Sequence, residues 1–249
     1  MIYLYAITDR PEAALPALPG LEGAPLISLT YRDVAAVASL GTAPGVSTKL
    51  SSLEAVNIWQ HEAIVEALMS DRTVLPVRFG TVLADEAALH SILKAQYAGF
   101  IADLEWVYSR VELSVQVLWD SDGQTPTDGS AKDINCQRSE VSGRAYMLAR
   151  LTEEQQAQAC RQQAETLASG IRLPLERLAV ENTHQVLVTP RLLLKAAYLV
   201  DRERMAIFRE EINNLSLAYP TLRFLCTGPW PPYNFVSNRE TNLLGDNDD

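Results

Sequence analysis

Directly after the apolar run Leu222-Arg223-Phe224-Leu225-Cys226, which reads as a strand, the chain continues Gly228-Pro229-Trp230-Pro231-Pro232-Tyr233-Asn234-Phe235-Val236. Each proline fixes φ and lacks an N–H, so this sequence predicts a stiff, extended exit from the sheet. Trp230, Tyr233 and Phe235 add a large apolar area with polar handles that need partners. Such a segment either packs back onto its own domain or presents itself to another protein. Packing onto self is favoured, because most large aromatics are core residues.

The rest of the chain supplies enough apolar material for that core. Of 249 residues, 47% are hydrophobic, which suits one large domain or two ordinary ones and argues against disorder. A formal net charge of −10 argues against non-specific nucleic-acid binding and against docking on anionic lipid. No segment reaches the roughly 20 apolar residues that span a bilayer, so no membrane association is expected. Met1-Ile2-Tyr3-Leu4-Tyr5 lacks a basic leader and reads as a strand rather than a signal peptide. Cys136, Cys160 and Cys226 are odd in number and widely separated, the pattern of reduced cytoplasmic thiols. Gly245 to Asp249 reads as a solvated tail.

Strand patterns cover residues 2–8, Pro25 to Thr30 and Val34 to Leu40, the last two forming a hairpin about Tyr31-Arg32-Asp33. Ser51 with Glu54 fits a capping box opening a helix whose apolar face is Val56, Trp59 or Gln60, Ala63 and Ala67, with Ile64 and Leu68 beside them. Thr73 to Val82 reads as a central strand, although Pro76 favours an edge. Asp85 caps a longer helix with the stripe Leu89, Leu93, Tyr97, Phe100, Leu104 and Val107. Val111 to Trp119 alternates with period two.

Asp120 to Ser130 then contains no apolar residue other than proline, which predicts a domain connection over 121–142. Beyond it come a helix from Gly143, either continuous or interrupted at a Thr152–Gln155 capping box, and a small-residue stripe of Ala157, Cys160, Ala164, Leu167 and Ile171. Paired strands Gln185–Thr189 and Leu192–Val200 follow, then a helix capped by Asp201 with Met205, Phe208, Ile212 and Leu215 on one face, then the strand from Leu222. The expected architecture is α+β: two modified ferredoxin-like domains, 1–120 and 143–227, and an extended carboxy-terminal segment, 228–249. The second domain's order, α-β-β-α-β, resembles such a unit with its first strand missing or reassigned.

No catalytic, cofactor-binding or metal-ligating set emerges. Glycine spacing fits neither GxGxxG nor a P-loop, and GxSxG is absent. His61, His90 and His184 have no ligand-type spacing and read as surface or satisfied structural histidines. Arg78, within Val74-Leu75-Pro76-Val77-Arg78-Phe79-Gly80, is either an anion or partner contact or, the favoured reading, a structural ion pair or a snorkelling side chain. Gly80 allows a bulge after Phe79. Arg144 and Tyr146 either bridge the two halves or occupy an ordinary first helical turn.

In order along the chain, Tyr3-Leu4-Tyr5-Ala6-Ile7, Val74 to Val82, Gly143-Arg144-Ala145-Tyr146 and Gly228-Pro229-Trp230-Pro231-Pro232-Tyr233 resemble the gas vesicle protein F/L family, and most resemble its GvpF members. The resemblance makes Arg78, Phe79, Gly80, Arg144, Tyr146, Gly228, Pro229, Trp230, Pro231, Pro232 and Tyr233 structural or interface candidates. It implies a non-enzymatic minor component of gas vesicles, assembled in the cytoplasm without a cofactor. Such a protein would bind the very apolar shell protein GvpA, assist nucleation and prevent aggregation. Exposed apolar patches or sheet edges in the first half would supply the contact. Other readings are an enzyme or small-molecule binder in which Arg78, Asp33 and Glu62 converge, and an adaptor whose proline-rich segment is read as a polyproline ligand.

Overall fold

Strand β1 (Ile2–Thr8) is buried along its whole length, because both faces of the first sheet are covered by helices. The computed structural model describes residues 1–40, 52–119, 143–187, 189 and 192–236. It divides into two compact units, residues 1–112 with 228–249, and residues 113–227.

In the first unit, β1 pairs antiparallel with β3 (Val34–Leu40), which pairs with β2 (Leu26–Tyr31) in the expected hairpin. On its other edge β1 pairs with β4 (Val74–Pro76) and β5 (Val82–Leu83). A register shift between Leu4 and Ala6 sorts the side chains. Ile2, Leu4 and Ile7 enter one core with Leu89, Leu93, Phe100 and Leu104, while Tyr3, Tyr5 and Ala6 enter another with Ile64, Val65 and Leu68. Helix α1 (Ser52–Met69) thus covers one face, and α2 (Glu86–Ala95) with α3 (Tyr97–Val107) the other.

The sheet order β2-β3-β1-β4 is that of a ferredoxin-like unit whose first crossover helix is replaced by the connection 9–25. Three contacts hold this connection. The Leu21 amide donates to Tyr5 Oη (2.8 Å), Gln60 Nε2 to the Pro19 carbonyl (2.7 Å), and the buried Arg72 to the Ala14 carbonyl (2.7 Å).

The second sheet runs β7-β8-β6-β9, where β6 is Arg110–Trp119, β7 Glu181–Val186, β8 Leu192–Asp201 and β9 Leu222–Trp230. With α4 (Gly143–Glu176) and α5 (Met205–Ala218) the order is β6-α4-β7-β8-α5-β9, a complete ferredoxin-like unit. Strand β6 supplies the first strand that the expected order α-β-β-α-β leaves missing or reassigned. Its Leu113, Val115 and Val117 pack with Ala164, Ala168, Ile171 and Leu175 of α4 and with Phe208, Ile212 and Leu215 of α5.

Several local expectations change. The strand expected over 73–82 breaks after Pro76, and β4 lies at an edge, where a missing N–H is tolerated. The buried face of α1 is His61, Ile64, Val65 and Leu68, whereas Val56 and Trp59 are 59% and 76% exposed. Gln96 divides the expected long helix into α2 and α3, although Asp85 caps α2 through a 2.8 Å bond from the Ala88 amide. Helix α4 is continuous through Thr152. Among the described residues its buried positions begin at Ala164, and Ala157 is exposed, while the side chain of Cys160 lies outside the described set. Asp201 precedes a 3-10 turn, Arg202–Arg204, and its side chain caps neither that turn nor α5. The Ser51 cap, the connection 121–142, Cys136 and the tail from 237 lie outside the described residues.

Candidate interaction site

Two adjacent residues of α1 contact three of the four motif segments found in the sequence. His61 is fully buried. Its Nε2 lies 3.0 Å from the Val77 carbonyl, which can only accept, so Nε2 carries the proton and Nδ1 is the acceptor. Tyr3 Oη therefore donates to His61 Nδ1 (2.9 Å), and it accepts from the Gly80 amide (3.0 Å). Phe79 packs edge-on against His61 and Tyr3, with ring centroids 5.8 and 6.1 Å away. Burial lowers the His61 pKa from 6.5 to about 4, with the Val77 bond opposing, so the ring is neutral at pH 7. Burial also raises the Tyr3 phenol, making it a stable hydrogen-bond donor.

Arg78 is exposed in this turn. Its carbonyl accepts from the Thr81 amide (3.3 Å) and Thr81 Oγ1 (2.8 Å). Gly80 sits at φ +91°, a conformation that favours glycine over residues with a Cβ. Arg78 is exposed rather than buried because the strand ends two residues before it.

Glu62, the next residue of α1, accepts from Tyr233 Oη at 3.0 Å. A second carboxylate, the buried Glu112, accepts from the Asn234 amide (2.9 Å) and from Asn234 Nδ2 (2.5 Å). Burial raises the pKa of both carboxyls, while the bonds from Tyr233 and Asn234 favour their ionised forms.

The carboxy-terminal segment consequently differs from the extended exit expected of it. Gly228, Pro229 and Trp230 finish β9, an edge strand in which a proline costs no ladder bond. Pro231 and Pro232 are buried, and Tyr233–Val236 forms one helical turn, α6, that packs against β4. Val236 joins the core of the first unit, and Trp230 is 36% exposed. Gly228 has φ +115°, and a Cβ there would lie 2.8 Å from the Glu112 carbonyl oxygen.

The structure thus brings Phe79, Gly80 and Tyr233 onto α1 through His61 and Glu62. Arg144 and Tyr146 lie in the first turn of α4, and their side chains are outside the described set. His61, Glu112 and Asn234 carry the assembly; no short motif marks His61 or Glu112, and Asn234 stands in the carboxy-terminal stretch with no feature that singles it out. Their partners are 58, 122 and 122 positions away.

Asp33 accepts from Tyr97 Oη (2.6 Å) and Glu62 serves Tyr233, so these two carboxylates make separate contacts. Among the described residues no group of three or more His, Cys, Asp or Glu could hold a metal. No described helix is long and apolar enough to cross a membrane. Burial pushes the Cys226 thiol up, away from the reactive thiolate. An open depression of about 270 Å³ is lined by Asp9, Asp33, Ile101, Leu104, Glu105 and Tyr108.

Comparison with known proteins gives this arrangement a context. A family model described as "gas vesicle synthesis protein GvpL/GvpF" matches residues 1–237. Gas vesicle protein L of Streptomyces sp. (strain CB03234) is 29% identical over 97% of this chain and 94% of its own length. Gas vesicle protein F2 of Halobacterium salinarum is 26% identical, covering 94% of this chain and 91% of its own. The crystal structure of GvpF from Anabaena sp. PCC7120 superposes with a TM-score of 0.71 at 22% identity, over 94% of this chain and 95% of that one. GvpF from Microcystis aeruginosa gives 0.70 at 18% identity, over 94% and 98%. The chain belongs to the GvpL/GvpF family of gas vesicle proteins. The α+β architecture of its solved relatives is its own.

Proposed function

We propose that this chain is a non-enzymatic accessory protein and minor component of gas vesicles. In this reading it binds the shell protein GvpA in the cytoplasm, assists nucleation and limits aggregation of that apolar partner. Family membership supplies the gas vesicle context. The observation that carries the binding reading is an exposed apolar surface in the first unit, where Trp59 is 76% and Val56 59% exposed. Large exposed apolar side chains grouped together mark protein contact surfaces. A net charge of −10 would keep a complex with an apolar partner soluble. The alternative, small-molecule chemistry, would need a deep pocket with convergent polar groups, whereas the depression beside Asp33 is open.

The domain limits proposed from sequence become, in functional terms, a first unit completed by the carboxy-terminal segment. Deleting the gene in a gas-vesicle-forming host and restoring it tests the reading. Vesicles counted by electron microscopy should disappear and return, and shell protein should shift to the insoluble fraction in between. Unchanged vesicle numbers and unchanged shell-protein solubility would remove it.

A further inference from the structure

Helix α1 is apolar on two faces, and the described residues cover only one. His61, Ile64, Val65 and Leu68 point into the core, while Val56, Trp59 and Ala63 are exposed. At about 100° per residue, positions 56, 59 and 63 form one stripe opposite the buried face, and Glu66 extends it by a turn. Both flanks of the stripe are fastened. On one side Gln60 Nε2 donates to the Pro19 and Gly20 carbonyls (2.7 and 3.2 Å), and on the other Glu62 accepts from Tyr233 (3.0 Å). The helix therefore presents Trp59 from a fixed frame, which reduces the ordering cost of association. Tryptophan is enriched, with tyrosine and arginine, among the anchor residues of protein interfaces.

We propose that Val56, Trp59, Ala63 and Glu66 form a docking site for an apolar segment of a partner protein that carries a lysine or arginine about one helical turn from its apolar anchor. Charge complementarity selects this occupant. The exposed Glu66 closes the apolar stripe, and Glu62 adds a second carboxylate beside it, so a cationic partner is favoured and an acidic one repelled. A second copy of this chain is disfavoured by the charge of −10 that each copy would bring. Taking the partner to be the vesicle shell protein rests on the function proposed above.

The test co-expresses the full chain, as wild type, Trp59→Ala and Glu66→Lys, with GvpA. It measures soluble complex, its salt dependence and the melting temperature of each variant. The site predicts capture by wild type that weakens with salt, and a loss of about tenfold or more for Trp59→Ala at unchanged melting temperature. Glu66→Lys should lose capture several-fold, and it supplies the answer if Trp59→Ala folds poorly. Wild-type capture by both variants overturns the docking site and leaves the functional reading standing. No capture by wild type overturns both. Self-association of the chain alone that Trp59→Ala abolishes makes a second copy the occupant and overturns the choice of partner.

Discussion

The phenol of Tyr233 donates to Glu62 Oε1 at 3.0 Å, closing a contact across 171 positions of sequence. With the paired bonds from Asn234 to Glu112, it makes residues 228–236 part of the first unit's folded structure. Tyr233→Phe keeps the ring and removes the donor. Its expected cost is about 1 kcal/mol, below the range for a fully buried bond to a charged acceptor, because Glu62 keeps solvent contact. The Glu62 carboxyl should titrate at higher pH in the variant. Urea unfolding with carboxyl-resolved NMR checks both, and wild-type values for both would remove the contact from the account.

Gly228→Ala places a Cβ 2.8 Å from the Glu112 carbonyl oxygen and forces a residue with a side chain into φ +115°. The backbone must shift or remain strained, at a cost of about 1–3 kcal/mol. Thermal melts of the full chain should show the drop. A melting temperature equal to wild type would mean that the segment is not held in this conformation.

Acid should act through His61 in a definite direction. The folded state keeps the ring neutral to about pH 4, whereas the unfolded chain takes up a proton near its ordinary value of 6.5. Between those values the unfolded state binds more protons, so His61 makes stability fall as pH falls, by about 3 kcal/mol once the ring is charged. Glu62 and Glu112 act oppositely. Their folded values are raised above the ordinary 4.5, so the stability they withdraw at neutral pH is recovered as pH falls through the folded values towards 4.5. Bulk unfolding curves mix these terms. Imidazole NMR separates them, and a His61 midpoint near 6.5 would contradict the buried, neutral assignment.

Chain order and period revealed much of this fold but could not distribute it. Strand β6 was legible from its alternation, yet chain order placed it with the first half, because partner choice is a long-range property that period two does not encode. The stripe Val56-Trp59-Ala63 satisfies helical period as well as His61-Ile64-Val65-Leu68 does. A histidine at the centre of the true face disguised it. The terminal segment was legible as an element that returns to its own domain, although it does so through Pro231, Pro232, Tyr233 and Val236 while Trp230 stays 36% exposed. Its strand end, helical turn and carboxylate partners were hidden, because edge pairing and hydrogen bonds over more than a hundred positions leave no local pattern.

Phe208 gives an independent check on the second unit. It is fully buried, with its ring centroid 5.2 Å from that of Tyr198, inside the core shared by β6, α4 and α5. Phe208→Ala should destabilise this unit by about 3–5 kcal/mol. Amide exchange would reveal it as lost protection in β8 and α5. Full protection there would show that the core is assembled differently.

The central claim is direct contact with the vesicle shell protein. Full-length chain carrying an affinity tag should be co-expressed with untagged GvpA and recovered from the soluble fraction. A soluble complex containing both proteins is expected, with less GvpA sedimenting than when it is expressed alone. Recovery of the folded chain without GvpA, and with GvpA sedimenting as before, would contradict it.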